Sequence, residues 1–349
     1  MAAAAAYLYC NAACASEARF AGSVLTSNAG RTRFVLRLEA ATGKVRRMTA
    51  DAKQIISEIE EQGGLYVGRW RRPANPDLHR QGSIHEDTSA QRLGFRGGLV
   101  AGSIHSELFP PLLLKAFGQR WFERGNLSLY FLEPTLDREE VRAMVSVPPA
   151  GASDVQVQVW AERSNGSRIC EGTAAVGEPR EPSALLARGL SRFPPGELRI
   201  LADASVGDQF PTVEVRVSQE EIDRRLELTT DPLPWYRGPS PWGGAVATTA
   251  NLVTAMMQPC NVYLEVHRKT QAVGLFGAIE IRNVSGPVLV GEPYRATGHL
   301  ISLGQSPKTE YLWFEAYMDN QQGRRTAEMR MMLRFMKASS PAYEQSQAE

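Results

Sequence analysis

Apolar residues alternate with polar ones along most of this chain, and that period-two pattern is interrupted by a few denser stretches. ARFAGSVLT and RTRFVLRLEA are short β-type runs, and Asp51–Gln62 carries Ile55, Ile56 and Ile59 at helical spacing, which predicts a small ββα accessory piece over residues 1–62. RWRRPANPDLHRQGS, rich in Arg, Pro and Asn, reads as a loop. GGLVAGSIHSELF then places Leu99, Val100, Ile104, Leu108 and Phe109 in a buried helix, entered through glycine and followed by Pro110 and Pro111, which break or restart it. Three alternating runs follow, carried by Leu127, Leu129 and Phe131, by Val141, Ala143, Val145 and Val147, and by Val155, Val157 and Val159. Half-buried antiparallel strands have this pattern.

The order then repeats. EPREPSALLARGLSRFPPGEL is polar and Pro-rich and reads as a linker, after which come strand-like TVEVRVS, the loop DPLPWYRGPSPW and a second apolar helix, GGAVATTANLVTAMMQP, closed by Pro259. VYLEVHRK, GLFGAIEIRN, PYRATGHLIS, TEYLWFEAYM and RTAEMRMMLRFM read as strands. FRGGLVAG aligns with PWGGAVAT, setting Gly98 over Gly244 at a spacing of 146, and EEVRA aligns with EPYRA, setting Ala143 over Ala296 at 153. Two copies of one unit are predicted, over residues 63–180 and 201–338, with a linker at 181–200 and a tail at 339–349. A length of 349 residues suits two such cores.

With 43% hydrophobic and 22% charged residues the chain has enough apolar surface to fold. Lys plus Arg (39) nearly balances Asp plus Glu (38), so no broad basic face is expected and nucleic acid is excluded as a partner. The Ala-rich start lacks the basic residue that opens a secretory signal, and no apolar run reaches bilayer length, so a cytoplasmic protein with no membrane partner is expected. Cys10, Cys14, Cys170 and Cys260 are scattered and the five histidines show no ligand spacing, so ordinary thiols and no metal are expected. No Walker-type loop is present, and no cofactor is expected.

SIHEDTSAQRLGFRGGLVAGSIHSELFPPLL, continued by NLSLYFLEPTLDREEVRA, resembles the MaoC-like hotdog proteins, best known as R-specific enoyl-CoA hydratases and dehydratases. The likeness covers residues 65–180, and DPLPWYRGPSPWGGAVA resembles the helix entry of hotdog units more generally. It implies an α+β double hotdog, two antiparallel sheets each wrapped around a long central helix, acting as a hydro-lyase on an acyl thioester. It also implies a possible homodimer. In the hydratases a G-D-x-N-P-x-H motif supplies an Asp and a His that position water and move protons, while an amide at the start of the central helix polarises the thioester carbonyl. His85 matches the motif's histidine, but Arg80 stands where the Asp belongs and Gly82-Ser83 replace Asn-Pro. An Arg cannot act as a carboxylate base.

The catalytic candidates are therefore His85, with Asp87 beside it and Asp231, which lies 13 residues before Gly244 as His85 lies 13 before Gly98. Gly97 and Gly98 either allow a tight helix entry or let a thioester carbonyl approach, and on the second reading the Gly98 amide stabilises the oxyanion. His105 is either a satisfied core histidine or a second base, and Trp235 and Tyr236 either plug the core or line a ligand tunnel. Arg92 and Arg96 meet either solvent or the phosphates of coenzyme A. Three functions remain open: lyase, binding or isomerising scaffold, and thioesterase, the last needing a carboxylate such as Glu107 or Asp231.

Overall fold

Alternation gives strands and strands must be paired, so the first question is how the runs are ordered. A computed structural model describes residues 50–190 and 196–344, all within one compact unit spanning residues 46–349. The strands are β1 (Glu60–Gln62), β2 (Leu65–Val67), β3 (Gly125–Phe131), β4 (Val141–Ser146), β5 (Val155–Arg163) and β6 (Arg168–Val176), then β7 (Gln209–Val215), β8 (Gly274–Asn283), β9 (Tyr294–Gln305), β10 (Thr309–Asn320) and β11 (Arg325–Met336). They form one antiparallel sheet in the order β1-β2-β4-β5-β6-β3-β8-β11-β10-β9-β7. Read from each outer side, β2-β4-β5-β6-β3 and β7-β9-β10-β11-β8 are the same arrangement, so the repeat is a double hotdog. Ala143 and Ala296 are each the third residue of corresponding strands β4 and β9.

The two antiparallel sheets expected of the units are joined edge to edge into one. β3 pairs with β8 from Asn126↔Arg282 to Tyr130↔Ala278, and Glu280 at this seam accepts from the Asn126 amide at 2.9 Å and the hydroxyls of Ser128 and Ser183 at 2.7 and 2.6 Å. Joining the two inner edges removes unpaired backbone from both units.

The long central helices are also corrected, because each is segmented. The first comprises α3 (Gly102–Ser106), α4 (Pro110–Phe117) and α5 (Arg120–Arg124), preceded in the chain by α1 (Ala50–Ser57) and the short α2 (Asp87–Arg92). Pro110 and Pro111 begin α4, where a missing N–H costs nothing. The linker holds α6 (Ala184–Arg188), whose Ser183 cap accepts from the Leu186 amide, and α7 (Gln219–Leu226) starts with a Ser218/Glu221 capping box. In the second unit α8 (Thr249–Met256) is followed by α9 (Gln258–His267). Pro259 opens α9 instead of closing its predecessor, and the run expected as strand VYLEVHRK lies largely in this helix. Cys260, Tyr263 and Leu264 bury one face of it, a spacing of three and four that outweighs the local alternation.

The helices pack on one face of the sheet around a continuous core. A smaller cluster of Leu185, Ala278, Tyr311, Trp313 and Met332, with Tyr130 packed on it, covers the other face under the linker helix. The two β runs of the expected accessory piece, Cys10 and Cys14 lie outside the described residues; its helix corresponds to α1, whose Ala52 is fully buried. The β1–β2 hairpin crosses the expected boundary at 62/63.

Candidate functional site

The loop from Gly68 to Glu86 has few apolar residues, so side-chain bonds shape it. Asn75, 5% exposed, donates to the His85 carbonyl at 2.7 Å and accepts from the Asp77 amide at 3.1 Å, while its own amide donates to Asp137 at 2.7 Å. His85 is held from the other side as well: a Cβ on Gly98 would lie 2.1 Å from the His85 carbonyl oxygen, so this contact requires glycine. The His85 ring then bonds through Nδ1 to the Leu99 carbonyl oxygen at 2.6 Å. A carbonyl only accepts, so Nδ1 carries the proton and neutral His85 has a lone pair on Nε2. Among the described residues Nε2 has no protein partner.

His85 lies in the wall of a cavity of about 590 Å³. Ala101, Gly102, His105 and Thr135 of the first unit line it, with Leu93, Phe95, Phe131, Leu275, Phe276 and Met336 supplying an apolar lining. It opens where β3 and β8 part: beyond Tyr130↔Ala278 the two strands diverge, leaving Phe131 and Leu132 on one side and Gly274–Phe276 on the other. His105 is buried, and burial, reinforced by the charge of Arg163, lowers its pKa to about 4. Its Nε2 lies 2.6 Å from the Thr135 hydroxyl, and Nδ1 is buried without a partner. An unpartnered N–H is costlier to bury than an unpartnered lone pair with weaker demands, which favours the proton on Nε2, donated to Thr135. The Thr135 hydroxyl hydrogen is then left for another acceptor. The carboxylate in the wall, among the described residues, is Glu133, which is tied to Arg163 at 2.7 Å.

Other residues singled out from sequence lie outside this wall. Asp87 accepts the Gly98 amide at 2.7 Å, so that amide is engaged by the protein's own carboxylate and is not free to meet an oxyanion. A Cβ on Gly97 would stand 3.0 Å from the same Asp87 oxygen. Asp231 is ion-paired with both Arg69 and Arg71. Arg96 pairs with Glu139 at 3.2 Å at the surface, and Arg92 ends α2. Trp235 is buried in an aromatic cluster with Phe122 and Trp242, and Tyr236 is buried beside Glu107, with its pKa raised by burial. Glu107 is itself buried: one oxygen accepts the Ala250 amide at 2.5 Å, the other has no partner, and burial raises its pKa. Cys170 and Cys260 are buried thiols, the first pushed up to about 12 by burial and the second higher still.

Hydrogen bonding also resets the repeat by one residue. The Leu99 amide donates to Ile84 and the Val246 amide to Trp235; the Val100 amide donates to Thr135 and the Ala247 amide to Val288. Leu99 therefore corresponds to Val246 and Gly98 to Ala245, not to Gly244. His85 corresponds to Tyr236, not to Asp231, His105 to Leu252, and Thr135 to Val288. Thr135 lies in the Pro turn after β3, inside the stretch that carries the resemblance but at a position it does not single out, and Asn75 lies in a loop without a motif of its own.

No family model and no curated protein matches this sequence. Solved structures do. A MaoC-domain protein described as a dehydratase from Chloroflexus aurantiacus superposes with a TM-score of 0.56 at 11% identity, covering 79% of this chain and 96% of that one. A double-hotdog protein of Mycobacterium tuberculosis, described as essential for bacterial survival during infection, gives 0.54 at 10% identity, covering 79% and 97%. The chain thus has the double-hotdog fold of MaoC-like proteins. No helix among the described residues is long and apolar enough to cross a membrane.

Proposed function

We propose that the chain is a MaoC-like lyase that adds or removes water on an acyl thioester, with His85 Nε2 as the acid/base. The observation that carries this is the anchoring of Nδ1 on the Leu99 carbonyl, which leaves the basic nitrogen unpaired in an apolar cavity. The fold resemblance supplies the thioester class by analogy. In the elimination direction Nε2 takes the proton from the α carbon, the C–H electron pair forms the double bond as the β C–O bond breaks, and the same proton passes from Nε2 to the departing hydroxyl, which leaves as water. Thr135, held by His105, offers its hydroxyl to the leaving or incoming water. Gly102 lines the cavity at the start of α3, and on this reading its amide serves as the donor foreseen at Gly98.

A second reading follows from the composition of the wall. The family's second carboxylate has no counterpart beside His85, and Glu133 is neutralised by Arg163. A site with one base suits a proton transfer that needs only one, the migration of a double bond along a thioester. Hydrolysis is less well supported, since Glu107 and Asp231 both lie away from the wall and are engaged elsewhere. Mass spectrometry of the protein with short, branched and aromatic enoyl- and 3-hydroxyacyl-CoA thioesters tests these readings. Gain or loss of one water, abolished in His85→Ala, supports the lyase; an isomer of unchanged mass resolved by chromatography supports migration; turnover unaltered in His85→Ala overturns both.

A further inference from the structure

β11 alternates across the sheet: Met331, Leu333 and Phe335 face the main core, and Met332 faces the cluster on the opposite side. Arg334 follows the Met332 side, and its Nη2 donates to the Tyr130 hydroxyl at 2.6 Å, in that same cluster. Yet Arg334 also lines the cavity that holds His85. The cavity therefore passes through the fork between β3 and β8, with the histidines on the helix side and Arg334 at the outer end.

The position of Arg334 is electrically unusual. The neighbouring arginines of the sheet are matched by acids: Arg330 by Glu315, Arg325 by Asp319 and Glu328, Arg282 by Glu178. Arg334 is half-buried and, among the described residues, no carboxylate lies within ion-pair distance of it. Its Nε is buried without a partner. Glycine makes the position possible, because a Cβ on Gly277 would stand 2.7 Å from that Nε. Lys308, exposed and also in the wall, adds a second cation at the rim. A half-buried guanidinium without a counter-charge is costly to the free protein, and it gains most from an anion that arrives with two acceptor oxygens.

We propose that Arg334 forms an anion-receiving subsite at the outer end of the cavity, so that the ligand carries a carboxylate or phosphate at the end away from the carbons that meet His85. The inference rests on the reading of the cavity as a thioester site. The anion has two sources, a carboxylate on the acyl chain or the phosphates of the carrier.

Isothermal titration with three probes separates them: butyryl-pantetheine, which has neither group; succinyl-pantetheine, which has the carboxylate; and butyryl-CoA, which has the phosphates. The wild-type protein is expected to bind at least one anionic probe about tenfold or more tighter than the neutral one, and the favoured probe identifies the source. Arg334→Gln removes that preference and leaves butyryl-pantetheine unchanged. Arg334→Lys keeps part of it, and Gly277→Ala, which retains the charge but displaces the guanidinium, loses it. Equal binding of all three probes by the wild type, or an undiminished preference in Arg334→Gln, overturns the subsite while leaving the thioester reading standing. Failure of every probe to bind the wild type overturns both.

Discussion

The two units of this chain share a fold and differ at every polar position of the site. In the first, His85, His105 and Thr135 surround a cavity. In the second, the hydrogen-bond register puts Tyr236, Leu252 and Val288 at the corresponding places, and Tyr236 follows Trp235 of the aromatic cluster. At the first turn of α8 a carboxyl oxygen is already in place, since Ala250 donates to Glu107 of the first unit. On the proposed reading the first unit carries the chemistry and the second supports it. The difference teaches that the same hotdog fold forms with and without polar groups at these positions.

That contrast is most directly broken at its centre. His85→Ala is expected to lower turnover by about a thousandfold, within the range for loss of a general acid/base, whereas Tyr236→Phe leaves turnover within about twofold. Steady-state kinetics on the substrate found by the mass scan checks both, and equal losses would mean that the second unit also takes part.

Replacing His105 by Leu and Thr135 by Val together copies the second unit into the first. In the wild type the folded pKa of His105, about 4, lies below its ordinary 6.5, so the unfolded chain takes up the proton first. The stability His105 confers is fully present above about 6.5 and is lost as pH falls towards 4, a change of about 3 kcal/mol. Urea unfolding between pH 7 and 4 is expected to show that decline in the wild type and a flatter profile in the double variant, which also loses turnover.

The glycines sharpen the register. Gly98→Ala brings a Cβ to 2.1 Å from the His85 carbonyl and is expected to cost about 2 kcal/mol or more, since backbone must move. Gly244→Ala meets nothing within 4 Å and is expected to change stability by less than about 0.5 kcal/mol. Similar melting shifts for the two would restore the 146-residue alignment.

The smallest effect concerns Glu107. Its folded pKa is raised by burial, so the folded state holds the proton longer and stability falls as pH rises from the ordinary value of 4.5 towards the raised one. Glu107→Gln is expected to remove that decline, so that its melting temperature exceeds the wild type's at pH 8 but not at pH 4.

Much of the sheet was legible because half-buried strands must alternate, and β3, β4, β5 and β8 to β11 lie where that pattern predicts them. β6 was missed: RICEGTAAV is almost wholly buried and so has no polar beat. The strand expected at VYLEVHRK failed because a five-residue alternation is too short to distinguish strand from a helix one face of which is buried. His85 and the cavity-lining His105 stood in a recognisable neighbourhood. Asp231 was reached through a Gly-Gly match, and in a repeat aligned on two glycines a slip of one residue costs nothing in sequence; only the amide partners of Leu99 and Val246 reveal it. Arg334 looked like any outward polar residue of a strand, because nothing in the sequence shows that the sheet forks beside it.

Glu107 ties the two sides of the asymmetry together. The second unit lacks counterparts of His85, His105 and Thr135, and its helix entry is occupied by a side chain from its twin, an obstruction in cis. Building a histidine site there takes changes in both copies at once, since clearing Glu107 leaves no histidine behind and installing a histidine leaves the entry filled. The two copies are thus coupled through one side chain, and the sequence of each constrains what the other can become.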